Sequence, residues 1–281
     1  MLEDQFSRTA MGAALLRAAH QTLEKGAIFQ DPFACAILGL TAEEAAAAAP
    51  DDEGGRRMRL FIALRARFAE GRLAAAVGRG VGQAVVLGAG LDTFGLRNPF
   101  AGQGLRVFEV DHPDTQTWKR QRLAEMDVAL PEALAFVPVD FTRDDLMERL
   151  SASGFDVRKP AFFMWLGVTP YLSSETTFAT LAAIARIPGA EVAFDYTEPL
   201  ERREGEARDF HDALLERVAA VGEPIIGALD PRELADRLAA AGMTEQEDLG
   251  MNEIRRRFFN APPDDVRRTA AGHLFWARRP L

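Results

Sequence analysis

Val85-Val86-Leu87-Gly88-Ala89-Gly90-Leu91-Asp92-Thr93 decides the fold. A short β-branched and leucine-rich run, the composition of a buried strand, passes directly into Gly-Ala-Gly. Downstream, Val107-Phe108-Glu109-Val110-Asp111 is a second apolar run ending in acid, with Asp111 21 residues beyond Gly90. Glycines after one strand let a ligand lie against bare backbone. An acid at the tip of the next strand can accept hydrogen bonds from both hydroxyls of a ribose. The pair predicts a nucleoside-cofactor site; for the glycines alone, an ordinary tight turn is the plainer alternative.

Glycine spacing separates the candidate cofactors. A dinucleotide fingerprint wants a third glycine three positions after the second, so that the following helix packs closely and its N-terminus meets the pyrophosphate. Thr93 stands there, and Gly95 is out of phase. S-adenosylmethionine (SAM) carries no phosphate, so close backbone approach and a ribose acid suffice for it. The spacing favours SAM.

Around this stretch the pattern alternates. Strands are expected at 84–88, 105–110, 134–139, 161–166 and 190–196, with helices at 114–126, 143–152, 174–186, 207–221 and 231–241. Residues 271–278 read as a last strand, preceded by a weaker one around 244–250. Such alternation implies a parallel sheet with helices on both faces. Residues 7–80 read as helical: Arg8 to Glu24, a helix opened by Asp31-Pro32, an alanine-rich piece ending at Pro50, and a long amphipathic helix from Met58 to Val77. The charged, glycine-containing stretch Asp51 to Arg57 is expected to be a mobile loop, and Arg59, Arg65, Arg67 and Arg72 a solvated face. With no repeat or low-complexity linker, the chain reads as one domain: a helical cap (1–80), a cofactor-binding core (81–197), a substrate lid (198–260) and the final strand (261–281). Within the lid, Gly222 to Gly227 is an apolar, glycine-flanked loop that could close over an acceptor or merely connect.

Composition narrows the class. A net charge of −9 and a pI near 5.1 disfavour nucleic acid and anionic membrane as partners. Cys35 is the only cysteine, which excludes an intrachain disulfide and a thiolate-rich metal site. The start Met1-Leu2-Glu3-Asp4 lacks the basic and apolar regions of a signal peptide, and no apolar run is of membrane-spanning length. A cytoplasmic protein is expected. The sequence leaves the oligomeric state open.

Four ordered motifs, VVLGAGLDTFGLR (85–97), FEVDHP (108–113), FVPVDF (136–141) and WLGVTPYL (165–172), resemble those of the leucine carboxyl methyltransferase family, closest to its bacterial branch of polyketide-type O-methyltransferases. Ser7-Arg8-Thr9-Ala10, Phe29-Gln30-Asp31-Pro32 and the Arg65/Arg67 helix stand upstream in the order of that branch. The resemblance implies a Rossmann-like α/β fold with a mostly parallel seven-stranded sheet, an N-terminal helical cap, and SAM as cofactor. It implies Asp111 as the ribose acceptor, with Glu109 on the same strand face as second choice, and Arg65 as the grip on the methionine carboxylate. A guanidinium fork suits that group, although a surface role is the alternative. Gly88, Ala89 and Gly90 would pass bare backbone to the cofactor's amino-acid end. Asp140 can accept from the adenine amine and Phe141 can flank the ring; an Asp opening a turn is the bland reading. Arg97 could close the loop structurally or serve the cofactor.

Tyr171 and Tyr196, the chain's only tyrosines, follow candidate strands where an acceptor should lie, and either could stack near the sulfonium or bind an acceptor oxygen. A core-edge position is the alternative for both. Leu166 stands where the family commonly has Glu, and Phe94 where Arg often follows Asp-Thr. The four histidines show no metal-ligand spacing; His112 could act as a base but fits better as a turn residue before Pro113. No nucleophile elbow or phosphate loop is present. The expected activity is SAM-dependent O-methylation of a small-molecule carboxylate or hydroxyl. A nicotinamide-dependent oxidoreductase and a non-catalytic SAM-binding protein are the competing readings.

Overall fold

The computed structural model describes residues 8–141, 143–202, 204–205, 208–209, 211–213, 215–216, 225–264 and 271–281. The chain is α/β with a seven-stranded, mostly parallel sheet. It divides into two compact units, Met1–Val157 and Arg158–Leu281.

The first unit opens with helices. α1 (Arg8–Leu23) packs on α2 (Ala42–Ala48) and α3 (Glu53–Gly78). Ala14 and Ala18, one turn apart, and the adjoining Ala19 are all buried, so small side chains bring the helices close. Thr41 and Glu44 form a reciprocal capping box at the start of α2. The loop expected at 51–57 is instead the first turn of α3. Asp52 accepts from Gly55 N–H (2.6 Å) as its N-cap, and a Cβ on Gly55 would overlap the Pro50 carbonyl. Arg59 likewise departs from the expected solvated face. It is 1% exposed and binds Glu24, Asp51 and the Pro50 carbonyl, because three acceptors satisfy a guanidinium that burial would otherwise penalise. Asp31-Pro32 opens a turn and a short 3-10 segment (Ala36–Leu38) rather than an α-helix.

Three parallel strands follow, in the order β3-β2-β1: β1 (Gln83–Leu87), β2 (Arg106–Asp111) and β3 (Leu134–Pro138). All five residues of β1 are buried, as the unalternating apolar run predicts for a strand covered on both faces. Between the strands lie α4 (Phe94–Arg97) and α5 (Pro113–Glu125); α6 (Leu146–Ala152) comes after β3, and α5 and α6 pack on that strand.

The second unit runs in the order β4-β5-β7-β6: β4 (Phe162–Trp165), β5 (Glu191–Thr197), β6 (Glu245–Leu249) and β7 (Gly272–Arg278). β4 and β5 are parallel, whereas β7 lies antiparallel to both β5 and β6, a reversal that alternation alone does not reveal. α7 (Ser174–Ala185) packs on β5 and against α8 (Pro231–Ala240); α8 and α9 (Met251–Phe259) pack on β6. α9 was not expected from the sequence. Phe194, Tyr196 and Phe275 form an aromatic cluster between β5 and β7. Of the loop expected at 222–227, residues 222–224 lie outside the described residues, as do residues 203 and 206 of the expected lid and much of the helix expected at 207–221. Ile226 and Gly227 donate their N–H groups to the Pro170 carbonyl (both 2.9 Å). No described helix is long and apolar enough to cross a membrane, and no described group of three His, Cys, Asp or Glu side chains could hold a metal.

Candidate functional site

The site is built on the bend after β1. Gly88 and Gly90 both take positive φ, +63° and +45°, so the turn needs residues without a Cβ. Ala89 N–H donates to the Val110 carbonyl (2.9 Å) and Asp92 N–H closes back on the Ala89 carbonyl (2.7 Å). A Cβ on Gly90 would also sit 3.1 Å from the Ala10 Cβ of α1. A Gly90→Ala variant is expected to lose about 1–2 kcal/mol of stability, the cost of a left-handed non-glycine residue. Unfolding in urea measures it; an unchanged midpoint would show that the bend tolerates a side chain.

Asp111 closes β2 beside this bend. One carboxylate oxygen accepts Gly90 N–H (2.5 Å) and the other accepts His112 N–H (2.7 Å). A carboxylate offers about four acceptor directions, so further donors can still be received. Burial pushes the Asp111 carboxyl above its ordinary range, and the two backbone N–H groups offset this only in part. His112 itself is exposed and caps α5 by accepting from Asp114 N–H (3.3 Å), the turn role expected of it. At the end of β3, Val139 N–H donates to the Asp111 carbonyl (2.9 Å), which brings the following Asp140-Phe141 alongside. Asp140 is half-buried and pairs with Arg143 (3.2 Å), while Phe141 is 55% exposed. Gly88, Ala89, Gly90, Asp111, Asp140 and Phe141 therefore gather at one end of the first unit's strands.

Glu109, the second choice for a ribose acid, is turned to another use. It is 1% exposed and held by Lys119 of α5 at 2.5 Å. Burial raises its carboxyl, and the lysine offsets only part of that rise. Arg65 is half-buried on α3. That helix is fastened to the bend by Glu70, which takes both ends of the Arg97 guanidinium (2.8 and 2.5 Å). Arg97 further donates to Thr93 Oγ1 (3.0 Å) and lies 4.8 Å over the Phe29 ring. These contacts fit the loop-closing alternative for Arg97.

The residues that sequence reasoning missed lie beneath the bend. Thr93, at the third-glycine position, is buried and donates its hydroxyl to Asp31 (2.8 Å). Asp31 also pairs with Arg17 (2.8 Å), whose other end reaches the Leu91 carbonyl (2.5 Å). Asp92 Oδ1 accepts the first free N–H of α4, that of Phe94 (2.6 Å). Burial alone would raise the Asp92 carboxyl, but Arg17, Arg97 and Lys119 outweigh it and hold the group below its ordinary range. The only sequence signals were an arginine inside an Ala/Leu-rich helix and a polar residue where a glycine would pack.

This donor set discriminates between cofactors. The helix end that would meet a pyrophosphate is already taken by an ionised side chain, and the third-glycine position is filled. Bare backbone, an acid at the end of β2 and an exposed aromatic beside an acid remain, which fits an adenosyl group without phosphate.

In the second unit, Tyr171 is half-buried in a 3-10 turn (Thr169–Tyr171) anchored by Thr169 Oγ1 to the Asp195 carbonyl (2.6 Å). Tyr196 takes the core alternative and not the acceptor-side role. Its ring is 1% exposed and stacks on His273 (4.7 Å), and its hydroxyl donates to Asp248 (2.7 Å). Burial, then the Asp248 charge, push that hydroxyl far above the tyrosine range, so it stays protonated as a core contact. Leu166, at the end of β4, is half-buried.

Comparison with known proteins adds the following. The family profile described as leucine carboxyl methyltransferase matches residues 10–185. YktD of Bacillus subtilis (strain 168), named as a proposed S-adenosyl-L-methionine-dependent methyltransferase, is 35% identical over 190 residues. That match covers 66% of this chain and 62% of the relative, so the chain spans less than two thirds of that protein's length. A relative with the same proposed activity in Parafrankia sp. (strain EAN1pec) is 35% identical over 211 residues, 72% of this chain and 67% of its own. Among solved structures, a proposed methyltransferase from Thermobifida fusca YX superposes with a TM-score of 0.54 at 18% identity, covering 96% of this chain and 94% of that one. Magnesium protoporphyrin IX methyltransferase from Synechocystis PCC 6803, solved with bound S-adenosylhomocysteine (SAH), gives 0.50 at 10% identity over 95% and 99%. These two show the shared fold.

Proposed function

The chain belongs to the leucine carboxyl methyltransferase family, and from that premise we propose that it is a SAM-dependent O-methyltransferase acting on a small-molecule carboxylate or hydroxyl. The observation that carries the reading is the bend itself: two positive-φ glycines, Asp111 bridged to Gly90 N–H, and Asp92 in place of a pyrophosphate. When bound, SAM supplies a methyl carbon already activated by its sulfonium.

The chain's own residues then have the task of holding and aligning. Asp111 accepts from the ribose hydroxyls, Asp140 from the adenine amine, and Phe141 flanks the ring. Gly88, Ala89 and Gly90 leave the backbone open to the amino-acid end, whose carboxylate Arg65 grips. Alignment can supply roughly 7–11 kcal/mol of a barrier by removing orientational entropy. A carboxylate acceptor is ionised at neutral pH and needs no base, whereas a phenol or alcohol needs one. That difference favours carboxyl methylation. Tyr171 is the tyrosine proposed for the acceptor side.

Calorimetric titration with SAM, SAH and NAD tests the cofactor, with heat expected only for the first two. Methyl transfer from labelled SAM to a panel of carboxylic acids and phenols tests the chemistry, and the acids are expected to accept. Heat with NAD alone would reject the reading. Tight SAM binding with no acceptor in the panel would leave a non-catalytic SAM-binding protein.

A further inference from the structure

Among the described residues, the Glu109–Lys119 pair is a fully buried ion pair of the first unit's strand layer that the proposed chemistry does not use. Both side chains are 1% exposed. Lys119 Nζ donates to Glu109 Oε2 (2.5 Å) and, with a second N–H, to the main-chain carbonyl of Asp92 (2.6 Å). Among the described residues Glu109 Oε1 has no hydrogen-bond partner, and a Cβ on Gly95 would stand 2.8 Å from it, so Gly95 leaves the space the carboxylate occupies. Burying two charges for stability alone is a poor trade, since well-packed apolar pairs of similar volume often replace such pairs without loss. What an apolar pair could not do is hold the Asp92 carbonyl.

That carbonyl marks the far side of the bend. The near side is tied to β2 by Ala89 N–H on the Val110 carbonyl (2.9 Å) and by Gly90 N–H on Asp111 (2.5 Å). On the far side, the Lys119 ammonium meets the chain where it turns into α4. Resting on the cofactor reading above, we propose that Lys119, charge-balanced by Glu109, is a positioning residue: by gripping the Asp92 carbonyl it presets the Gly88–Asp92 backbone that receives the adenosyl ligand.

A charge-free replacement separates positioning from stability. Lys119→Met alone leaves Glu109 buried without its cation and is expected to melt early. The Lys119→Met/Glu109→Met double variant removes both charges at similar volume, and its melting temperature is expected to return toward that of the wild type. SAH binding, read by calorimetry, is nonetheless expected to remain about tenfold weaker, the loss of one charge-assisted hydrogen bond. Amide hydrogen exchange at residues 89–93 is expected to be faster than in the wild type. A double variant that binds SAH as tightly as the wild type, with unchanged exchange, would overturn the role of Lys119. Should the double variant not fold, Lys119→Met measured cold in stabilising osmolyte gives the same comparison: weakened SAH binding supports the role and undiminished binding overturns it. A wild-type protein that takes up no SAH would sink the cofactor reading itself.

Discussion

An Arg97→Met variant is expected to lose roughly 3–5 kcal/mol of stability, the range for stripping one partner from a buried ion pair. Arg97 and Glu70 have side chains 12% and 20% exposed, and the guanidinium holds the carboxylate through both ends. Without it, Glu70 stays buried with no cation in contact, Thr93 Oγ1 loses a donor, and the Phe29 ring loses its covering plane. The pH dependence follows from Glu70. Burial already raises its carboxyl above the ordinary 4.5, against the pull of Arg97. Removing Arg97 raises it further. A carboxyl raised in the folded state contributes stability that is full below its unfolded value and is lost as pH climbs through its folded value. The deficit of the variant is therefore expected to be largest at neutral pH and to shrink in mild acid. Urea melts at both conditions measure it; a deficit below about 1 kcal/mol at neutral pH, the worth of an exposed pair, would refute the buried-pair account.

Asp111→Ala is expected to weaken SAM and SAH binding by about a hundredfold or more, since two hydrogen bonds to a charged acceptor are each worth roughly 1.5–3 kcal/mol. The wild type adds a pH signature. On the proposed reading Asp111 accepts from both ribose hydroxyls and must be ionised to do so, and its carboxyl lies above the ordinary 3.8 because it is buried. Wild-type affinity should fall as buffer is taken from neutral into mild acid through that raised value, while the affinity of the alanine variant should stay flat over the same interval. Circular dichroism checks that the variant remains folded. Equal affinity in both proteins would remove Asp111 from the site.

Much of the fold is legible locally. β1 is expected at 84–88 and found at Gln83–Leu87; α5 is expected at 114–126 and found at Pro113–Glu125, where Pro113 and the His112 cap mark the start. Strand composition, caps and helix-starting prolines act over a few residues, so the chain shows them directly. The glycine bend and Asp111 are legible for the same reason, as each ends an apolar run. Contacts across long separations leave no such mark. Asp31 meets Thr93 62 residues away and Arg59 meets Glu24 35 residues away, and neither partner follows a period that a helix or strand imposes. For that reason Arg59 reads as solvated when it is interior, and Asp51 to Arg57 reads as loose when Asp52 caps a helix. Tyr196 shares the cause: its hydroxyl is claimed by Asp248 on a strand 52 residues later.

The Asp92 carboxylate on Phe94 N–H bears on inhibitor choice. Medicinal chemists often begin from adenine nucleotides, whose phosphates seek exposed backbone amides. Here that berth already carries its own anion, so a 5′-phosphate would meet repulsion as well as a filled seat. If the adenosyl group binds at this bend as proposed, adenosine analogues with neutral or cationic 5′ thioether or amine tails are the better starting scaffolds, and adenine nucleotides are expected to compete weakly for it.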